Sequence, residues 1–116
     1  MSLRVAATAN SCADYWASLG DRYSLHTGNP GSAGTANEAS GGGYARQTTT
    51  WGSASGGIVT GSQLTFSVVT ATYTHACRWS SGGTLRDIID ITDASVSPDG
   101  QIKMTPSNDA NYVAWV

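Results

Sequence analysis

The sequence predicts an all-β fold, a β-sandwich or jelly-roll-like double sheet of six to seven strands with one short N-terminal helix. Three observations point there. Gly, Ser and Thr are abundant while Val, Ile, Tyr and Trp recur in short runs, the composition of a β domain with many turns. Several runs alternate apolar and polar residues with the period of two that a half-buried strand requires. Turn signals built from Gly, Pro, Asn, Asp and Ser interrupt them about every ten residues. Charged residues make up only 12% of the chain, far from the charge density of disordered segments. A length of 116 residues suits one domain, read as a single β-sandwich over 1-116 with an N-terminal arm and short helix over 1-20.

The elements follow in chain order. Ser11 with Asp14 three residues later approximates a capping box. Cys12, Tyr15, Trp16 and Leu19 fall at helical spacing, which predicts an amphipathic helix over 11–19 stopped by Gly20. Tyr23 and Leu25 alternate with Arg22, Ser24 and His26, as in a half-buried strand. Asn29, Pro30 and Gly31 are the residues of a type II turn. No periodicity runs from Ser32 to Gly43, so 28-43 reads as a long loop, of a length usually reserved for function or motion. "GYARQTTTW", 43–51, alternates again and carries β-branched threonines that favour a strand. "IVTGSQLTFSVV", 58–69, sets Leu64, Phe66 and Val68 on one face, with Gly61 as a bulge or turn. "TATYTHACRW", 70–79, sets Tyr73, His75, Cys77 and Trp79 on one face and Thr72, Thr74, Ala76 and Arg78 on the other. Ser80-Ser81-Gly82-Gly83 then turns the chain into the strand "TLRDIIDIT". "DITDAS" and "SPDG" read as turns, "QIKMT" as a short strand, and "NYVAWV" as a last strand or a tail that adds to a partner's sheet.

Chemistry is sparse. The net charge is −2 and the six basic residues are scattered, so no basic stripe for nucleic acid forms. No apolar run approaches the roughly 20 residues of a membrane span. The first residues lack the apolar core of a signal peptide, which predicts synthesis in a reducing cytosol. Cys12 and Cys77 match no metal or redox motif and read as small buried hydrophobes. His26 and His75 stand alone on strands, without H-x-H or H-E-x-x-H spacing, and read as sheet-packing residues. Asp87 and Asp93 point away from Asp90 on a strand, so these three make no shared carboxylate face. "GGGYAR" lacks the G-K-[ST] of a phosphate loop. The expectation is no catalytic residue, no metal site, no cofactor and no enzyme. Aromatics are the one surplus, with nine Trp and Tyr to one Phe. Most suit a core; the rest suit subunit contacts or stacking on sugar rings. A carbohydrate-binding module using Trp51, Trp79 or Trp115 is therefore one alternative.

"YSLHTGNPGSAGTANEASGGGYARQTTTWGSASGG", Tyr23 to Gly57, closely resembles the SLHT-x-x-PG … NE-x-SGG-x-YARQ stretch of small virion proteins of actinobacterial tailed phages, the tail-fibre or minor tail proteins. The similarity continues more loosely through "LTFSVVTATYTHACRW" and is poor from Leu85 onward. The resemblance implies a non-enzymatic structural protein located in the virion and made in the host bacterial cytoplasm. Its implied partners are copies of itself, with a homotrimer expected, and other virion proteins of the tail. A capsid decoration protein bound to the major capsid shell at symmetry axes is an alternative, and host-surface glycan is a further ligand to test. Asn37, Glu38, Tyr44, Arg46 and Gln47 match the family pattern and are implied to be scaffold, with Glu38 pairing Arg46 to pin the loop on its strand. Segment 28-43 is then an assembly loop whose residues 32–40 are dispensable for folding. Trp51, Trp79 and Trp115 join Glu38, Tyr44, Arg46 and Gln47 as interface candidates.

Overall fold

The longest alternating runs of the sequence become the centre of an antiparallel sheet. A computed structural model describes residues 2–113 and shows an all-β double-sheet fold with one short helix. The elements are β1 (Ser2–Leu3), α1 (Ala6–Ser18), β2 (Arg22–His26), β3 (Gln47–Thr48), β4 (Ile58–Thr60), β5 (Leu64–Val68), β6 (Ala71–Trp79), β7 (Leu85–Val96), β8 (Gly100–Met104), β9 (Ser107–Asp109) and β10 (Tyr112–Val113). The main sheet has the order β3-β2-β6-β7, and β5–β8, β4–β9 and β1–β10 form two-stranded antiparallel ribbons. Five of the ten described strands, β1, β3, β4, β9 and β10, are pieces of two or three residues, too short to display alternation.

Register decides which side chains share a face. Tyr23 lies opposite Arg78, Leu25 opposite Ala76, and Ile89 opposite Ala76 from the other side. Tyr23 and Leu25 pack with Leu64, Phe66, Val68 and Ile102 of the β5–β8 ribbon into the main core. Phe66 and Leu25 are fully buried there, each contributing about 1.5–3 kcal/mol of apolar burial. A register irregularity between Tyr73 and His75 turns Tyr73 into this core, away from the face of His75, Cys77 and Trp79 with which simple alternation grouped it.

The opposite face carries Ser24, His26, Cys77 and Trp79, all buried. The half-buried reading of β2 is therefore corrected: it is covered on both sides. The cover is the loop after β2. Gly34 lies so close to the Leu85 and Trp79 side chains that a Cβ on it would sit 2.8 Å from Leu85 Cδ1 and 3.2 Å from the Trp79 ring. Small residues let the backbone lie flat on the sheet, which is why this layer has no apolar period.

The helix also departs from expectation. It begins at Ala6, not Ser11, after Val5, whose side chain makes no capping hydrogen bond. Its buried stripe is Ala9, Ala13 and Ala17, the last two packed with Val59 and Ala110, while Cys12 and Tyr15 face solvent. Alanine brings the helix axis close to β4, a spacing that the aromatic stripe would not permit. Asp14, expected in a capping box, instead accepts the Ala54 N–H at 2.8 Å, and Asn10 accepts that of Gly57 at 2.8 Å. The helix ends at Leu19 in right-handed geometry. Gly20 is needed for a close approach, since a Cβ there would lie 2.6 Å from the Trp79 carbonyl oxygen.

Three strand boundaries are corrected. The alternation over 43–51 yields only Gln47–Thr48, because Tyr44 and Arg46 turn inward onto the loop. Residues 58–69 split at Gly61, whose N–H donates to the Pro106 carbonyl, and β4 and β5 join different ribbons. "DITDAS" is not a turn but the second half of the twelve-residue β7. β9 carried no signal, and of the final strand Tyr112–Val113 pairs with β1. Residues 114–116, with Trp115, lie outside the described residues.

Candidate functional site

The densest polar constellation is the clamp that fastens the loop to β2. Beyond Tyr23 the outer edge of β2 loses β3 as partner. The Glu38 segment takes over farther along, bridging to His26, with the Thr27 N–H donating to Asn37 O at 2.9 Å and the Ala39 N–H to Leu25 O at 2.8 Å. Tyr44 fills the gap between the two. Its hydroxyl accepts the Leu25 N–H at 3.0 Å and donates to Glu38 Oε2 at 2.7 Å. Arg46 completes the clamp with two parallel hydrogen bonds to Glu38, Nε to Oε2 at 3.0 Å and Nη2 to Oε1 at 2.9 Å. That two-pronged geometry is the strongest form of the pair. The Arg46 hydrogen bonds hold the Glu38 carboxyl below its ordinary value of 4.5, against partial burial, and the Tyr44 hydroxyl adds to the lowering. Burial pushes the Tyr44 phenol up.

Arg46 reaches further. Its guanidinium sits 4.2 Å over the Trp79 ring, a cation–π contact that caps the buried indole. Beneath it the polar groups form a closed chain. The Trp79 Nε1–H donates to Ser24 Oγ at 2.8 Å. Ala36 O can only accept, so His26 Nδ1 carries the proton it receives at 2.8 Å, and Nε2 takes the Ser24 hydroxyl proton at 2.8 Å. Ser24 and His26 thus resemble a nucleophile–base pair in composition, yet both are buried beneath the loop, and His26 holds its backbone at Ala36 O.

A second node lies on the other side of the main sheet. Arg78 is 1% exposed, and its Nη1 donates to Trp16 O at 2.8 Å and Gly20 O at 2.9 Å. Its Nε bonds Asp87 at 2.6 Å, and the guanidinium lies 3.8 Å from the Trp16 ring. The Trp51 indole closes the node, donating to Gly20 O at 3.0 Å and meeting Trp16 edge-on at 5.1 Å.

Of the seven interface candidates, the six among the described residues therefore separate, and Trp115 lies outside them. Glu38, Tyr44, Arg46 and Trp79 come together in one clamp. Trp51 sits apart in the helix–sheet junction. Gln47 pairs opposite Tyr23, with its side-chain amide on Ala45 O at 3.0 Å. Neither buried Trp79 nor wedged Trp51 offers the free ring face expected of a sugar platform in those positions. Cys77 is buried, which pushes its thiol up, but Cys12 is exposed, contrary to expectation. Among the described residues no cluster of His, Cys, Asp and Glu is arranged to hold a metal ion. Sequence reasoning missed Arg78, Asp87 and Trp16. The outward side of the loop presents Ser32, Ala33, Thr35, Asn37 and Ser40 to solvent.

A protein family described as Podophage GP4 fiber I protein gp80 matches residues 20–106, well over half of the chain. The matched span holds β2 to β8 with the whole clamp. No curated protein and no solved structure matches the chain significantly.

Proposed function

The chain belongs to the podophage GP4 fiber I protein gp80 family, and from that premise we propose that it is a non-enzymatic structural module of a phage virion, built into the tail fibre or a minor tail component. The single observation that carries the reading is the family match across the main sheet and the clamp. The side-chain chemistry supports it, because the best candidates for catalysis or binding hold backbone in place. The His26 ring nitrogens engage Ser24 and Ala36, Arg78 ties the helix to the sheet, and Glu38 with Arg46 and Tyr44 ties the loop to β2.

In this reading 1-116 acts as one domain that assembles with copies of itself, as a homotrimer, and with other virion proteins. Segment 28-43 has two sides. Its inner side seals the sheet, and its outer side of Ser, Thr, Ala and Asn meets a neighbour through backbone and small polar groups. Many identical weak contacts then add through avidity. The actinobacterial origin of the particle rests on the 23–57 stretch alone.

Quantitative mass spectrometry of purified particles, with tails separated from capsids, tests the reading. The chain should travel with tails at a few to tens of copies per particle. Recovery with the capsid shell at hundreds of copies would replace the tail by a decoration role. Absence from particles would end the structural reading altogether.

A further inference from the structure

The solvent face of a surface helix normally carries charge, and that of α1 carries almost none. Residues 2–19 hold two charged side chains, and backbone takes both. Arg4 Nη1 donates to Ala110 O at 2.7 Å and to Tyr112 O, and Asp14 accepts the Ala54 N–H. What α1 turns outward is Thr8, Ser11, Cys12 and Tyr15, at the i, i+3, i+4, i+7 spacing of one helix face. Tyr15 is 67% exposed, and Val5 at 71% and Leu3 at 68% carry the same surface past the helix start. These are the three most exposed large apolar side chains among the described residues. On its inner side α1 buries only the methyl groups of Ala9, Ala13 and Ala17, little cover for a helix of 13 residues. Residues 2–19 also lie outside the 20–106 span shared with the fibre family.

We propose that this face seats a second copy of the chain, α1 against α1. Charge complementarity selects that occupant. The chain carries a net charge of −2, and exposed carboxylates lie elsewhere, Asp90 and Asp93 on β7 among them. Copies that meet through such surfaces set like charges against each other. The α1 face meets its own copy with no free charge on either side. A strongly charged partner finds no counter-charge there, and a lipid surface finds none of the Lys and Arg that line the polar face of interfacial helices. Thr8, Ser11 and Cys12 are small enough for two helices to approach to about 8–10 Å between axes, with Val5 and Tyr15 closing over the contact. The inference rests on the self-assembly proposed above and adds a second contact to that of the loop's outer side.

Sedimentation velocity of the full chain under reducing conditions, over a range of concentrations, tests it. The wild type should associate. Tyr15→Glu and Cys12→Glu should each weaken association about tenfold or more, because each sets like charges across the contact. Both positions are exposed, so the β2 and β6 amide resonances should stay in place. Thr92→Glu, exposed on β7, should leave association unchanged. A short bis-maleimide should join copies through exposed Cys12, since Cys77 is buried, and Cys12→Ser should abolish that product. Association unchanged by both glutamates, or absence of the Cys12 product, overturns the inference and leaves self-assembly to other surfaces. A chain that is monomeric at every concentration overturns it together with the homotrimer, while recovery from particles still decides the virion reading. Monomers that bind phosphatidylcholine vesicles, and lose that binding in Tyr15→Glu, give the face to lipid instead and overturn it as well.

Discussion

Arg78 shows how a single residue sets the architecture. A guanidinium with 1% exposure is tolerable only if its donors and charge are met, and here two carbonyls, a carboxylate and an indole face meet them. Removing it takes one of two donors from the Trp16 and Gly20 carbonyls, strips Asp87 of its partner and opens a void beneath the helix end. Arg78→Ala should lose about 3–5 kcal/mol, read from the denaturant midpoint. An unchanged midpoint would mean that the node is incidental. Glu38 gives a pH signature. Its folded value lies below the ordinary 4.5, so the stability it contributes is present above 4.5 and lost as pH falls through the lower folded value. Wild-type stability should therefore decline on acidification in that window, and Glu38→Gln should be less stable at neutral pH with a flatter decline. The Glu38–Arg46 pair was legible through the NE-x-SGG-x-YARQ resemblance, which holds both partners within eight residues of each other. The Arg78–Asp87 pair was not. The Ser80 N–H bonds Thr84 O and Trp79 pairs with Leu85, so plain counting sets Arg78 against Arg86. A bulge between the Arg78 and Trp79 pairs brings in Asp87 instead, and no local pattern announces it.

Among the elements, the segment after β2 changes meaning most between sequence and structure. Alternation made the strands visible, because a half-buried strand must alternate. A layer of Gly, Ser and Ala lying flat on a sheet has no such period, so it reads as loop whether it is extended or folded back. Its role is decided by close packing. Gly34 sits at φ +72 with Leu85 Cδ1 2.8 Å from any added Cβ. Gly34→Ala should thus lower stability by about 1–3 kcal/mol through strain and lifting of the loop, measured by thermal or chemical unfolding. Deleting residues 32–40 takes away Ala36 O, Glu38 and the Ala39 N–H together. It should expose Ser24, His26 and Trp79 and unfold the sheet, not merely block assembly; a stably folded deletion would show that the layer is dispensable. The helix misled for a related reason. Its aromatics drew attention, while the alanines that pack it are indistinguishable in sequence from those on a solvent face.

At the scale of the whole molecule, the described layers are the β5–β8 ribbon, the main sheet and the loop, with the helix and the β4–β9 ribbon at one side. The result is elongated, 46 × 29 × 27 Å. β7 ends the main sheet as a twelve-residue edge, a shape that invites unwanted pairing. Asp90 and Asp93 are exposed along it and two register irregularities bend it, both of which oppose such pairing. The proposed contacts between copies are assigned instead to the loop's outer side. Hydrogen exchange, compared between the isolated chain and the assembled particle, tests this division of labour most directly. The Thr27 and Ala39 amides, bonded between β2 and the loop, and that of Ala36, bonded to Pro30 O within the loop, should be protected already in the isolated chain, while those of exposed Ser32, Ala33 and Thr35 gain protection only in the particle. Free exchange at all six positions before assembly would contradict the account, because the loop would then be an open arm and not a layer of the fold.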